Sequence, residues 1–201
     1  MQLHGQVALV VIDVQKGGVM AQDTGISHMA GGAQRYERIV DLVATARGAA
    51  VPVVFIQEVH KRTLVDFGRE LDGAEGIHCL EGDEATELAE GLQPRADEYL
   101  IRKRRYSAFF ATELELVLRS YGAETLLLVG GLTDVCVHYT FADAHQHDYH
   151  CRVVTDCVGG SSLRAHDAAL EAMAYLQRDC RVSSGEVLTA LRSMAGTAVA
   201  R

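Results

Sequence analysis

Residues 125–147 read TLLLVGGLTDVCVHYTFADAHQH and hold a strand, a tight turn and a helix in one unbroken stretch. Thr125 to Val129 is apolar without alternation, as expected for a strand buried on both faces of a parallel sheet. Gly130 and Gly131 supply the backbone freedom that a sharp strand-to-helix turn requires. A helical pattern then runs from Val137 to His147. Similar short apolar runs recur at Val7 to Ile12, Val51 to Ile56 and Cys151 to Val154, and a last strand is predicted at Arg181 to Ser183. Helical stripes lie between them. Arg35 to Gly48 aligns Ile39, Leu42, Val43 and Ala46; Thr112 to Tyr121 aligns Leu114, Val117 and Leu118 before Gly122 stops it. Further helices are predicted over Leu163 to Leu176 and, shorter, after Ser184.

Strands alternating with helices require right-handed crossovers, so the predicted class is α/β, a three-layer α-β-α fold. With two prolines and no linker-like stretch, residues 1–201 read as one domain. The irregular segment from His60 to Pro94 is long for a loop, and such loops carry function or cover a site. Ligands in this architecture bind beyond the carboxyl ends of the strands, where Asp13 and Cys136 both fall.

A formal charge of −8 gives no electrostatic case for a nucleic acid or an anionic membrane as partner. The opening MQLHGQVALVVIDVQ breaks its apolar run at Asp13 and lacks a basic start or cleavage site, so a cytoplasmic location is expected. Five cysteines, an odd number without a CxxC pair, read as free thiols. Cys157 and Cys180 suit buried small hydrophobes.

Three residues stand apart. Asp13 interrupts a buried strand where it emerges; it either caps a turn or needs a charged partner to offset its desolvation. Lys103, in LIRKRRYSAFF, sits among Arg102, Arg104 and Arg105 and on its own reads as part of a solvated basic face. Cys136 opens a helical pattern, where the positive helix end is expected to lower its pKa and raise its thiolate fraction. Exposed N–H groups of such a turn can form an oxyanion hole.

Taken together, IDVQ with Asp13, KRRYSAFFATELE with Lys103 and VGGLTDVCV with Cys136 resemble the isochorismatase-like cysteine hydrolases, in that order, from about Val7 to Val187. The resemblance implies a mostly parallel six-stranded sheet with helices on both faces, a small-molecule substrate, and a homodimer or homotetramer. It implies a triad in which Asp13 takes the proton of Cys136 and Lys103 stabilises the charges. It also places a cis peptide between Gly131 and Leu132, with the N–H groups of Leu132 and Cys136 facing the oxyanion. The implied reaction is cleavage of a C–N bond through a thioester, releasing ammonia or an amine.

Retention of Cys136 argues against the branch that cleaves the vinyl ether of isochorismate. A nicotinamidase-like branch binds metal, and Glu58, His60 and His78 are the residues here that would suit Zn or Fe. Asp66, however, stands where that branch has a further histidine. The spacing of Glu58, His60 and Asp66 is similar instead to the biuret and ureidoacrylate amidohydrolases, which points to a linear amide or ureide and no cofactor or metal. Gln15 and Glu58 are candidate contacts for substrate N–H groups, and Tyr106 and Phe109 candidate aromatic surface. The alternatives are a metal-dependent nicotinamidase-like amidase and a non-catalytic redox or interaction module on the same fold.

Overall fold

The computed structural model describes residues 1–19 and 25–199. Six strands, β1 (Gln6–Ile12), β2 (Val53–Glu58), β3 (Tyr99–Lys103), β4 (Ala123–Gly131), β5 (His150–Gly159) and β6 (Arg181–Val182), form one sheet. Its order is β3-β2-β1-β4-β5-β6, and every pairing is parallel. The helices are α1 (Lys16–Val19), α2 (Gly32–Gly48), α3 (Leu114–Ser120), α4 (His138–Gln146), α5 (Leu163–Leu176) and α6 (Ser184–Val199).

Strand periodicity divides the apolar residues between two cores. In β1, Ala8, Val10 and Ile12 join Leu114, Val117, Phe141 and Met173, from α3, α4 and α5. Val7, Leu9 and Val11 point the other way, onto Ile39, Leu42, Val187 and Leu191 of α2 and α6. A strand covered on both faces has no polar side to show, which is why its sequence does not alternate. The α-β-α expectation is met.

Differences lie at the edges. β3 has no counterpart among the runs read from sequence, because an edge strand alternates: Arg102 is exposed while Ile101 and Lys103 are fully buried. β5 extends to Gly159, beyond the predicted Val154, and α6 has 16 residues rather than being a short helix. The segment from His60 to Pro94 is irregular apart from two 3₁₀ turns, Glu70–Asp72 and Glu84–Thr86. All five cysteines are free, and all but Cys79 are buried. Among the described residues no helix is long and apolar enough to cross a membrane.

Candidate active site

The register of β1, β2, β3 and β4 assembles the site. Ile12 lies level with Ile56 and Gly130, and Glu58 lies level with Lys103. Asp13, the first residue beyond β1, therefore emerges beside the ends of β2 and β4. Its φ is 51°, a left-handed conformation that aspartate tolerates better than most residues. Gly130, at φ 115°, lets β4 press against β1: a Cβ there would lie 1.9 Å from the Ile12 carbonyl oxygen. The peptide from Gly131 to Leu132 is cis, as the resemblance implied. A π-helical turn, Thr133–Val137, then carries Cys136 into α4.

Lys103 is fully buried and its ammonium contacts three groups. Nζ lies 2.9 Å from Asp13 Oδ2, 2.5 Å from Glu58 Oε2 and 3.3 Å from Cys136 Sγ. The solvated-face reading of Lys103 is thus overturned by strand alternation. Neither Asp13 oxygen has a hydrogen-bond partner, so its contact with Lys103 is ionic, with angles outside hydrogen-bond geometry. Oxygen atoms of Asp13 and Glu58 and the Cys136 sulfur lie within 4.8 Å of one another.

Electrostatics corrects one expectation. Burial pushes the Cys136 thiol well above its ordinary range; Lys103 pulls it down, but Asp13 and Glu58 push it up again. The helix end does not set the balance, because the sulfur is desolvated between two carboxylates. Burial also raises Asp13 to about 6, against the opposing pull of Lys103. Desolvation disfavours the charge on Lys103, but Asp13, Cys136 and Glu58 hold its ammonium well above the usual range. Above pH 6 the resting arrangement is a neutral thiol beside an ionised Asp13 and a protonated Lys103.

Glu58 links this trio to a second cluster. Its Oε1 accepts from His78 Nε2 at 2.8 Å and meets His60 Nε2 at 3.3 Å, while Glu70 Oε2 lies 3.3 Å from the same His60 nitrogen. All four side chains are buried, and one donor atom from each falls within a 4.8 Å cluster. Both Glu70 oxygens lack hydrogen bonds. Two imidazoles and two carboxylates form a donor set that fits a Zn- or Fe-type ion. Without an ion, protons serve the same balance: burial opposes charge on His60, but Glu58 and Glu70 raise its pKa to about 9. Glu70 was not singled out from sequence, because no periodicity marks it within its irregular segment. Asp66 lies farther off, 3.8 Å from His60 Nδ1, and pairs with Arg104.

Asp13, Glu58, His78 and Cys136 border a cavity of about 450 Å³ at the carboxyl ends of the strands, with Gln15 and Tyr106 also among its lining residues. Gln15 Nε2 donates to the carbonyls of Glu58 and Thr86 at 3.0 and 2.7 Å, so only its oxygen has capacity for a substrate N–H. Glu58 is engaged by Lys103 and both histidines instead of being free for substrate. Phe109 departs from expectation: it does not line the cavity and stacks on His147, with ring centroids 5.2 Å apart. The turn after Tyr106 carries it onto the α3/α4 side of the sheet, where it packs against that core. Arg35, unremarked in the sequence, does line the cavity. It stands four residues before Ile39, at the head of the α2 stripe, and that placement was the available signal.

Relatives share this plan. A probable inactive nicotinamidase of Arabidopsis thaliana is 30% identical over 80% of this chain and 84% of its own. The ureidoacrylate amidohydrolase RutB of Serratia proteamaculans is 30% identical over 75% of this chain and 68% of its own. The crystal structure of N-carbamoylsarcosine amidase from Thermoplasma acidophilum, 25% identical, superposes with a TM-score of 0.74 over 90% of this chain and 97% of that one. The Isochorismatase domain family matches residues 7–186, a span that takes in all six strands but for Gln6 and every residue of the Asp13–Lys103–Cys136 cluster. With that match over nearly its whole length, the chain belongs to the isochorismatase family and is a hydrolase of its amidohydrolase kind.

Proposed function

We propose that this protein is a cysteine-dependent amidohydrolase that cleaves a C–N bond of a small linear amide or ureide. The observation carrying the reading is the convergence of Asp13 and Cys136 on one buried Lys103 ammonium, at 2.9 and 3.3 Å. A neutral, desolvated thiol needs a base, and Asp13 is ionised above pH 6 and has no competing hydrogen bond. It takes the Cys136 proton as the sulfur attacks the substrate carbonyl carbon and the C–S bond forms. Charge on the carbonyl oxygen is received by the N–H groups of Leu132 and Cys136. Lys103 remains protonated throughout, stabilising Asp13 and the sulfur in their charged forms. Asp13 then gives the proton to the leaving nitrogen, the C–N bond breaks, and ammonia or an amine departs from a Cys136 thioester. Asp13 next removes a proton from water, hydroxide adds to the thioester carbon, and the C–S bond breaks to release the acid. The proton held by Asp13 returns to the sulfur, restoring the thiol.

Ureidoacrylate and N-carbamoylsarcosine, named for two relatives, are both linear ureido compounds and suit a cavity of this size. Ammonia release from a panel of linear amides and ureides tests the reading. Cys136→Ala and Asp13→Asn are expected to abolish release while leaving the far-UV circular dichroism unchanged; an active Cys136→Ala protein refutes it. A second reading, a metal-dependent nicotinamidase-like amidase, is favoured by the four buried donors of Glu58, His60, Glu70 and His78. These residues would hold the ion, which would act as a Lewis acid for a bound group. Stoichiometric metal in protein purified without added salts, together with activity lost on chelation, selects that reading.

A further inference from the structure

The wall of the cavity away from Glu58 has the opposite character. Arg35, in the first turn of α2, is the only arginine or lysine lining the cavity among the described residues. It is half-buried and, among the described residues, forms no ion pair with a carboxylate. Its Nη1 donates to the Ala30 carbonyl at 2.6 Å and its Nη2 to that of Met29 at 3.0 Å. A guanidinium has five N–H donors, so among the described residues the Nε hydrogen and one on each terminal nitrogen are not taken up. Nearby carboxylates are committed elsewhere. Asp156 pairs with Arg38 at 3.6 Å and accepts from Ser184, and Asp134 accepts from Ser161 at 2.6 and 2.8 Å. The pKa of His28, on the same wall, is lowered by partial desolvation and by the neighbouring Arg35. The first turn of α2 holds no acidic residue, so the helix end adds positive potential of its own.

The chain carries 27 acidic residues against 19 lysines and arginines, yet no described carboxylate is placed against this cation. Holding two carbonyls requires only a neutral donor; a desolvated guanidinium calls for an anion. Its position suits one delivered by the substrate. Gly159 lies level with Gly131 in the sheet, beside the cis peptide, and a Cβ at Gly159 would come within 2.5 Å of Arg35 Nε. The missing side chain lets the guanidinium lie against the strand that neighbours the Cys136 turn.

We infer that Arg35 receives a carboxylate at the far end of the substrate, so that the site takes ω-amido and ureido acids over neutral amides. The inference rests on the amidohydrolase reading above, and it assigns Arg35 a role in selecting substrate. One carboxylate oxygen pair matches the planar fork of Arg35, while the scissile amide lies against Cys136.

The test pairs succinamate with its neutral counterpart succinamide. Wild-type protein is expected to release ammonia from the acid with kcat/KM about 10- to 100-fold higher, mostly through KM, as for a hydrogen bond to a charged group. Arg35→Gln is expected to collapse that preference and Arg35→Lys to keep part of it. Equal use of acid and diamide by wild type overturns the inference, as does a preference that survives Arg35→Gln. Calorimetry of succinate, a product-like diacid, on Cys136→Ala and Cys136→Ala/Arg35→Gln separates this inference from the parent reading. If neither amide yields ammonia, weaker succinate binding after loss of Arg35 still supports the anion site. Equal binding, or none to either protein, overturns it.

Discussion

Replacing Glu58 by Gln removes a negative charge 3.6 Å from the Cys136 sulfur while nearly preserving side-chain shape. At an effective dielectric constant of about 20, a unit charge at that distance is worth about 4.6 kcal/mol to a thiolate. Lys103, at 3.3 Å, contributes about 5 kcal/mol of opposite sign on the same scale. The two nearly cancel. Burial and Asp13 are left to decide the direction, and both hold the thiol in its neutral form. Without Glu58 the attraction of Lys103 is uncompensated and the thiolate becomes easier to form. Even where relaxation absorbs two thirds of the Coulomb energy, the remaining ~1.5 kcal/mol is about a tenfold gain in thiolate at fixed pH.

The assay is the rate of Cys136 alkylation by iodoacetamide at neutral pH, read peptide by peptide with mass spectrometry. Cys180 serves as internal reference, because neither Glu58 nor Lys103 perturbs its thiol. Alkylation at Cys136 is expected to accelerate about tenfold in Glu58→Gln, since thiolate fraction sets the rate. Lys103 keeps Asp13 as a partner in this variant, 2.9 Å away, so the buried ammonium is not stranded. Unchanged or slower alkylation, in protein whose circular dichroism matches wild type, refutes the account of the thiol as balanced between two charges.

Ammonia release is expected to fall as pH drops through about 6, because Asp13 acts in its ionised form and its pKa is held there. A profile flat across that range excludes Asp13 as the base. Lys103→Met leaves Asp13 and Glu58 buried without their shared cation, and urea titration is expected to show a loss of about 3–5 kcal/mol. A loss below about 1 kcal/mol, the range of exposed pairs, contradicts the burial argument. Gly130→Ala forces a side chain to φ 115° and a Cβ into the Ile12 carbonyl, so little folded protein is expected on expression. Recovery of soluble Gly130→Ala with the wild-type Tm refutes the close packing of β1 on β4.

What the sequence revealed follows from which residues are covered on both sides. β1, β2, β4 and β5 each carry an apolar stretch because each feeds both cores, and those stretches are visible without a structure. β3 pairs only with β2, so it alternates and passes for part of a basic patch. Lys103 is legible only through register, since nothing local separates it from the exposed Arg102. Asp13 and Cys136 stand out because polarity or a glycine turn interrupts an apolar run. Glu70 and Arg35 do not, because their partners come from distant segments: Glu70 meets His60 across an irregular loop, and Arg35 lies against Gly159 at the end of β5. Phe109 illustrates the converse, an aromatic beside Tyr106 in sequence that a single turn sends onto the other face of the site.

Strand order also explains why residue 103 is a lysine. β3 and β1 are separated by β2, so their ends stand about 9.5 Å apart, two interstrand spacings. A side chain on β3 that reaches Asp13 must cross the end of β2, where Glu58 stands. The lysine stem is long enough to cross and ends in a compact head with three N–H donors. It donates to Glu58 and Cys136 and pairs ionically with Asp13, three groups that come from two strand ends and a turn. Arginine would keep the charge, but its donors lie in one plane and its head is larger in a position with no exposed surface. Charge alone therefore does not satisfy this position. A compact ammonium on a long stem does, and it lets one buried residue hold the base in place beside the sulfur it is proposed to deprotonate.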